Sequence, residues 1–462
     1  LYLCRIQNSK KITWEDFMRL KYAAIIVGLI TVLSACKGRH HSEDTPTYKV
    51  GGMVSQLSAS KSLVLLNNGG DATKVSANGA FSFPTVVEPG SAYKVTIGTQ
   101  PAGMTCRVEN PSGSAAANVI NVGVTCYKNP AFVYVANLNS KSVSAYKIDA
   151  TTGKLTFGGD FPTGERPNSV KADPTGKFVY VVFDNDKVWS YKIDPHTGDL
   201  VFVDEIQTGS GPDSTEIDQE LKAGPMEVDP TGKFVYIGNS KGKTVSAYQI
   251  GPTGALTLAG IVHTGKGRYS IAVDRTATYA YVANQEDAAV WVYKIDATNG
   301  ALTSGRSFSV DKIPSSVTID PTGRFIFVVS ADEGSVSTYK IDAATGDLAN
   351  QKTASSIDSH SPGVVDPTGR FFYFLKDDRT VSSYEIVAVT GALSFKGNYT
   401  AGLYPTSMVV DSTGKFAYVL NFAGSVSAYT INDNSGELAP VGPNVNTTST
   451  YSPISIAIAP LQ

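Results

Sequence analysis

One phrase constrains this chain more than any other feature. Asp173-Pro174-Thr175-Gly176-Lys177-Phe178-Val179-Tyr180 returns as Asp229-Pro230-Thr231-Gly232-Lys233-Phe234-Val235-Tyr236 and as Asp320-Pro321-Thr322-Gly323-Arg324-Phe325. It recurs at Asp366-Pro367-Thr368-Gly369-Arg370-Phe371 and, more weakly, at Asp411-Ser412-Thr413-Gly414-Lys415-Phe416. A phrase repeated this way marks one supersecondary unit used many times, and its period decides the fold before any residue is given a role. Tyr-x-Ile is more regular still. It begins at Tyr146, Tyr191, Tyr248, Tyr293, Tyr339, Tyr384 and Tyr429, with separations of 45, 57, 45, 46, 45 and 45 residues. Each copy is followed by Gly-x-Leu, opened by Gly153, Gly198, Gly254, Gly300, Gly346, Gly391 and Gly436. Seven such units, all strand and turn, predict an all-β fold: a seven-bladed β-propeller over residues 128–462.

The second unit shows how one blade is built. Residues 167–173, 178–183, 187–193 and 200–206 read as strands A, B, C and D. Strand B is apolar on both faces, as expected of a strand buried on both sides. The Asp-Pro-Thr-Gly turn joins A to B: proline presets φ and glycine permits a positive φ. Blade four carries Arg275-Thr276-Ala277 there, so its turn must differ or be strained. Blade one enters directly at strand B, through Asn129-Pro130-Ala131-Phe132. The missing strand A is expected from residues 451–458, so that the C-terminus closes the ring and removes the open edges.

Upstream of the repeats the chain changes character. Met18, Arg19 and Lys21 open a basic start, residues 23–32 are apolar but too short to span a bilayer as a helix, and Leu33-Ser34-Ala35-Cys36 follows. Residues 18–35 read as a bacterial lipoprotein signal, with lipid on Cys36. The alternatives are an ordinary anchor, or a cleaved signal with an incidental cysteine. Residues 1–17 read as non-native sequence upstream of the true start, and 36–47 as a polar tether. Lys37 after the cysteine leans towards the outer membrane of a Gram-negative envelope. Acyl chains would anchor the protein at about 0.8 kcal/mol per buried methylene.

Residues 48–127 carry strand-like runs at 48–54, 62–66, 80–83, 92–97, 105–109 and 119–125, separated by Asn-Gly and Pro-Gly turns. They predict a small N-terminal β-sandwich. Cys106 and Cys126 are its expected disulfide partners in an exported protein. Near-neutral charge, −2 overall, gives no case for nucleic acid. No spacing of cysteine or histidine suggests a metal, and no cofactor is implied.

The unit Lys-Phe-Val-Tyr-Val…Val-Ser-Ala-Tyr-Lys-Ile-Asp…Thr-Gly-x-Leu resembles the lactonase-type seven-bladed propellers, also described as YVTN repeat proteins. Tyr134-Val135-Ala136-Asn137 and Tyr281-Val282-Ala283-Asn284 come closest to the signature. The resemblance covers about 330 residues. It implies lactone hydrolysis, as in 6-phosphogluconolactonases, by His, Arg and Glu side chains in the central funnel. It also allows a member with no activity.

Funnel residues belong in the corners between strand D of one blade and strand A of the next. His360 is the candidate base, Arg166 and Arg268 the candidate anion-binding pair, and Glu165 stands beside Arg166. The corners lack the Arg-His pair typical of the family's hydrolases. The leading expectation is therefore a lipid-anchored, monomeric binding platform for a small molecule or an envelope protein, with lactone hydrolase as the alternative. Strand A also sets Ser169, Ser270, Ser316, Ser407 and Ser455 at matching positions. Without an adjacent base they read as small residues at a crowded axis. Lys171 and Glu227 match in neighbouring blades and predict an ion pair across the channel wall. Twelve extra residues, 210–221, carry Asp213, Glu216, Asp218 and Glu220 on the funnel face and read either as a ligand or partner loop, be it a lid, a contact or a weak Ca²⁺ site, or as a tolerated insertion.

Overall fold

In a computed structural model every regular element among the described residues is a strand; these residues are 46–101, 103–128, 131–208, 225–239, 242–265, 267, 269–310, 313–330, 334–354, 363–376, 379–448 and 452–460. The first eight strands are β1 (Val50–Ser55), β2 (Leu63–Asn67), β3 (Asp71–Val75), β4 (Gly79–Ser82), β5 (Ala92–Thr99), β6 (Met104–Glu109), β7 (Ser112–Ser114) and β8 (Val119–Lys128). They form two four-stranded sheets, ordered β4-β1-β8-β6 and β3-β2-β5-β7. One apolar cluster, with Val50, Leu65, Phe81, Val95 and Val122, draws on both sheets. Cys106 and Cys126 face each other across β6 and β8 and are joined as a disulfide.

The remaining sheets are seven blades. Blade two has strands Pro167–Ala172, Phe178–Phe183, Lys187–Ile193 and Leu200–Gln207, hydrogen-bonded in that order. Strand B of this blade is buried along its whole length. Innermost strands of successive blades touch all the way round, so the sheets make a closed ring about a central channel. Closure is as the sequence predicts. Pro453–Ala459 pairs antiparallel with Phe132–Asn137 of blade one, from Pro453 opposite Asn137 to Ala459 opposite Phe132.

The repeated phrase is a turn built around a buried carboxylate. Asp229 Oδ1 accepts the backbone N–H groups of Lys233 at 2.7 Å and Phe234 at 2.6 Å. Its Oδ2 accepts the N–H of Thr231 at 2.9 Å and the Thr231 hydroxyl. In blade four Asp274 makes the same bonds to Thr278 and Tyr279. The turn there keeps its form, and Ala277 is pushed to φ 52° where the other blades use glycine. Of the two outcomes the sequence left open, a different turn or a strained one, the structure has the strained one.

The Gly-x-Leu element staples neighbouring blades. Gly198 has φ +80°, and a Cβ on it would lie 2.5 Å from the Phe132 ring of blade one, so both the turn and the neighbour demand glycine. Its carbonyl accepts the Tyr134 hydroxyl at 2.9 Å. Tyr418 of blade seven donates likewise to the Gly153 carbonyl of blade one at 3.0 Å, across the closing junction. Phe327 replaces the tyrosine in blade five, and Thr338 donates to Gly391 instead, at 3.3 Å. Before four of these glycines, in blades one, two, four and five, stands an aspartate: Asp149, Asp194, Asp296 and Asp342. Asp194 shows its use. The backbone N–H groups of Thr197 and His196 hold its carboxyl below the usual carboxylate range.

Candidate functional site

Strand A carries the chain from the funnel face down the channel wall, so the residue just before it stands at the mouth. In blade two that residue is Arg166. It is exposed, and its Nη2 donates to Asn139 Oδ1 at 3.1 Å. Asn139 belongs to the B–C hairpin of blade one, and its own N–H is held by the Ser452 hydroxyl at 3.1 Å. The guanidinium is thus aimed across a blade boundary. Glu165 turns the other way, into its own blade. Its Oε2 accepts from Asn185 at 2.6 Å, and Lys187 Nζ lies 3.2 Å from its Oε1. Lys187 also reaches Glu205 at 3.0 Å, which lifts its pKa, through Glu205 first and then Glu165. Adjacent in sequence, Arg166 and Glu165 serve different blades.

Blade seven sets an apolar group at the matching place. Tyr404, Leu403 and Phe422 are 60%, 37% and 40% exposed, an unusual grouping for large side chains. Tyr404 has φ 56°, and its carbonyl accepts the Phe422 N–H at 2.8 Å, which fixes the corner. Nothing periodic announces these residues, because every corner differs.

Below the mouth lies a cavity of about 480 Å³ lined by strand A residues from all seven blades. Its walls carry Ser169, Ser270, Ser407 and Ser455, then Lys171 and Glu227, among valine, isoleucine and methionine side chains. The expected ion pair is present: Lys171 Nζ stands 2.8 Å from Glu227 Oε2. Two of the serines bind the next blade. Ser455 Oγ accepts the Val170 N–H at 3.2 Å, and Ser270 Oγ accepts that of Val317 at 3.1 Å. Each joins one innermost strand to the next, in keeping with a small residue at a crowded axis.

Arg268, His360 and the loop residues Asp213, Glu216, Asp218 and Glu220 lie outside the described residues, as does Cys36. Among the described residues, no group of three His, Cys, Asp or Glu side chains could hold a metal ion.

A family model described as a lactonase, 7-bladed beta-propeller, matches residues 111–214, 203–313 and 271–367, which overlap to cover more than half of the chain. The chain belongs to this lactonase family. A 6-phosphogluconolactonase of Pectobacterium carotovorum is 28% identical over 189 residues, 41% of this chain. That match spans 42% of the relative's length. Among solved structures, a Bacteroides fragilis protein assigned as a 6-phosphogluconolactonase superposes with a TM-score of 0.61 at 17% identity, covering 71% of this chain and 98% of that one. The periplasmic gluconolactonase of Pseudomonas aeruginosa gives 0.60 at 16%, covering 72% and 100%. These two likenesses concern the fold.

The lactonase signature ends in asparagine, and in the four blades that carry it here, one, three, four and seven, its side chain makes hydrogen bonds at the mouth end of the blade. Asn137 donates to Ser144 Oγ at 2.7 Å, Asn239 to Ser246 Oγ at 2.8 Å and Asn421 to Ser427 Oγ at 2.9 Å. In blade four Asn284 Oδ1 also accepts the hydroxyl of Thr264, the corner residue before it, at 3.0 Å. Blade seven has Ala401 at the corresponding corner, and Asn421 Oδ1 is buried without a partner. Ala401→Thr is expected to raise stability by about 1 kcal/mol, the worth of one buried hydrogen bond restored. A melting temperature equal to or below the parent's would show that the hydroxyl does not reach.

Proposed function

We propose that this chain hydrolyses a lactone at the mouth of its central channel. Family membership supports the reading, and so does the similarity to a 6-phosphogluconolactonase. The observation that carries it is Arg166, an exposed guanidinium positioned by a neighbouring blade at the head of a strand that lines an open cavity. Opening a lactone moves negative charge onto the carbonyl oxygen, and a fixed cation there lowers the barrier. In the proposed set Arg166 and Arg268 take that charge and His360 activates water. Glu165 has both oxygens engaged by Asn185 and Lys187, so its part is to hold the corner. The full chain in detergent is expected to hydrolyse glucono-1,5-lactone above the spontaneous rate, and Arg166→Ala to lower kcat by about 100-fold. Full activity in Arg166→Ala overturns the assignment of Arg166, and no lactone opened by the parent sinks the reading in favour of a binding platform without turnover.

The two N-terminal sheets are proposed as a sandwich module that spaces the propeller from a lipid on Cys36, at the surface of a bacterial envelope. The disulfide supports an oxidising compartment. Expressed in a Gram-negative host, the parent chain is expected in the membrane fraction and Cys36→Ser in the soluble periplasm. Equal partition of the two would refute the lipid anchor.

A further inference from the structure

The channel below the mouth has a chemistry of its own. Among its described lining residues Lys171 and Glu227 are the charged ones, one from blade two and one from blade three. Both are part-exposed, 41% and 30%, so the pair is not sealed between blades. A pair made only as a staple gains little when solvated this far. The cavity, about 480 Å³, is of the size that holds small ligands. Strand A rises about 3.3 Å per residue, so Lys171 stands about 6.6 Å deeper than the serine tier at Ser169. A six-carbon polyol spans that depth.

We propose that the Lys171–Glu227 pair selects the substrate of the proposed lactonase site: an unphosphorylated sugar lactone, bound with its ring at the serine tier below Arg166 and its terminal hydroxyl against the pair. This rests on the lactonase reading. A hydroxyl suits the pair on both counts, because it donates to the Glu227 carboxylate and accepts from the Lys171 ammonium. A terminal phosphate meets a different environment. Lys171 is already neutralised at 2.8 Å by Glu227, and a dianion arriving there would face that carboxylate. Aliphatic wall residues such as Val409 and Val364 leave room for the C–H edges of the chain.

The test measures binding of gluconate and 6-phosphogluconate by calorimetry, with hydrolysis of the two parent lactones followed alongside, on the full chain and on Glu227→Gln and Lys171→Met. The parent is expected to prefer gluconate by about tenfold. Glu227→Gln, which frees the ammonium, should abolish or reverse that preference. Lys171→Met, which leaves the carboxylate alone, should widen it. These opposite shifts are not expected of a mere staple, whose loss lowers the melting temperature in both variants and leaves the ratio alone. A parent that prefers 6-phosphogluconate, binds neither ligand, or keeps its ratio through both substitutions overturns the inference. Hydrolysis with an unmoved ratio would leave the lactonase reading standing without it. A ratio that moves as described in a chain that opens no lactone would do the reverse.

Discussion

Removal of residues 451–462 should leave a protein that does not melt cooperatively, because the lost strand belongs to three blades at once. Pro453–Ala459 is the innermost strand of blade one, paired with Phe132–Asn137. Ile456 packs with Phe416 and Tyr418 of blade seven, while Ala457 and Ala459 pack with Val170 and Val179 of blade two. Ile456, Ala457 and Ala459 are all buried, at 3%, 4% and 1% exposure. Without the strand, the ring opens at the one junction where the two ends of the propeller chain meet. Strand B of blade one then becomes an unpaired apolar edge, which invites aggregation. The loss is expected to be on the order of 5 kcal/mol or more, comparable to the whole stability of an ordinary domain. Thermal melts followed by circular dichroism would show it, and addition of the missing segment as a peptide should restore part of the transition. A truncated chain that melts like the parent would mean that the ring is held by something other than this strand.

Closure was legible because it follows from arithmetic. Seven Tyr-x-Ile markers demand seven inner strands, and blade one lacks one at its start. Lys171 with Glu227 was legible for a related reason: matching positions in adjacent blades face the same channel, and the pair forms at 2.8 Å. Other features resisted for physical causes. Strand β3 reads Asp-Ala-Thr-Lys-Val, with no aromatic residue and a single buried position, and it exists because the hairpin after Asn67 lays it against β2. Strand β7, Ser-Gly-Ser, is exposed throughout and rests on pairing with β5 alone. At the mouth the difficulty is of another kind. Repetition identifies residues that every blade needs, whereas a site is made of residues that one blade has and its neighbours lack. Arg166, Tyr404 and Ser452 all precede a strand A proline, yet they are a cation, an exposed ring and a buried hydroxyl. The direction in which Glu165 turns, towards Lys187 and away from Arg166, is a matter of side-chain partners that no spacing encodes.

Asp229→Ala should cost about 4 kcal/mol, more than most core truncations of similar size, although the residue sits in a turn far from the mouth. Its carboxylate is fully buried and accepts three backbone N–H groups, from Thr231, Lys233 and Phe234, besides the Thr231 hydroxyl. Alanine removes the acceptor and leaves those donors unpaired where water reaches them poorly, at about 1–3 kcal/mol each before the turn relaxes. Relaxation is restricted. Gly232 holds a φ of +70°, and the Asp229 N–H is tied to the Phe234 carbonyl at 2.9 Å, so the A–B connection cannot shift without pulling Phe234 from its seat. That ring lies against Gly300 of the next blade, within 2.3 Å of where a Cβ on the glycine would stand, so the disturbance passes across the interface. Asp229→Asn separates charge from hydrogen bonding. Its Oδ1 still serves Lys233 and Phe234, while the amide nitrogen meets the Thr231 N–H as donor against donor, so the loss should be roughly half that of alanine. Urea titration of the three proteins, read by tyrosine fluorescence, measures both values. An alanine variant within about 1 kcal/mol of the parent would show that the turn stands without its carboxylate, and the recurring aspartate would then need another explanation.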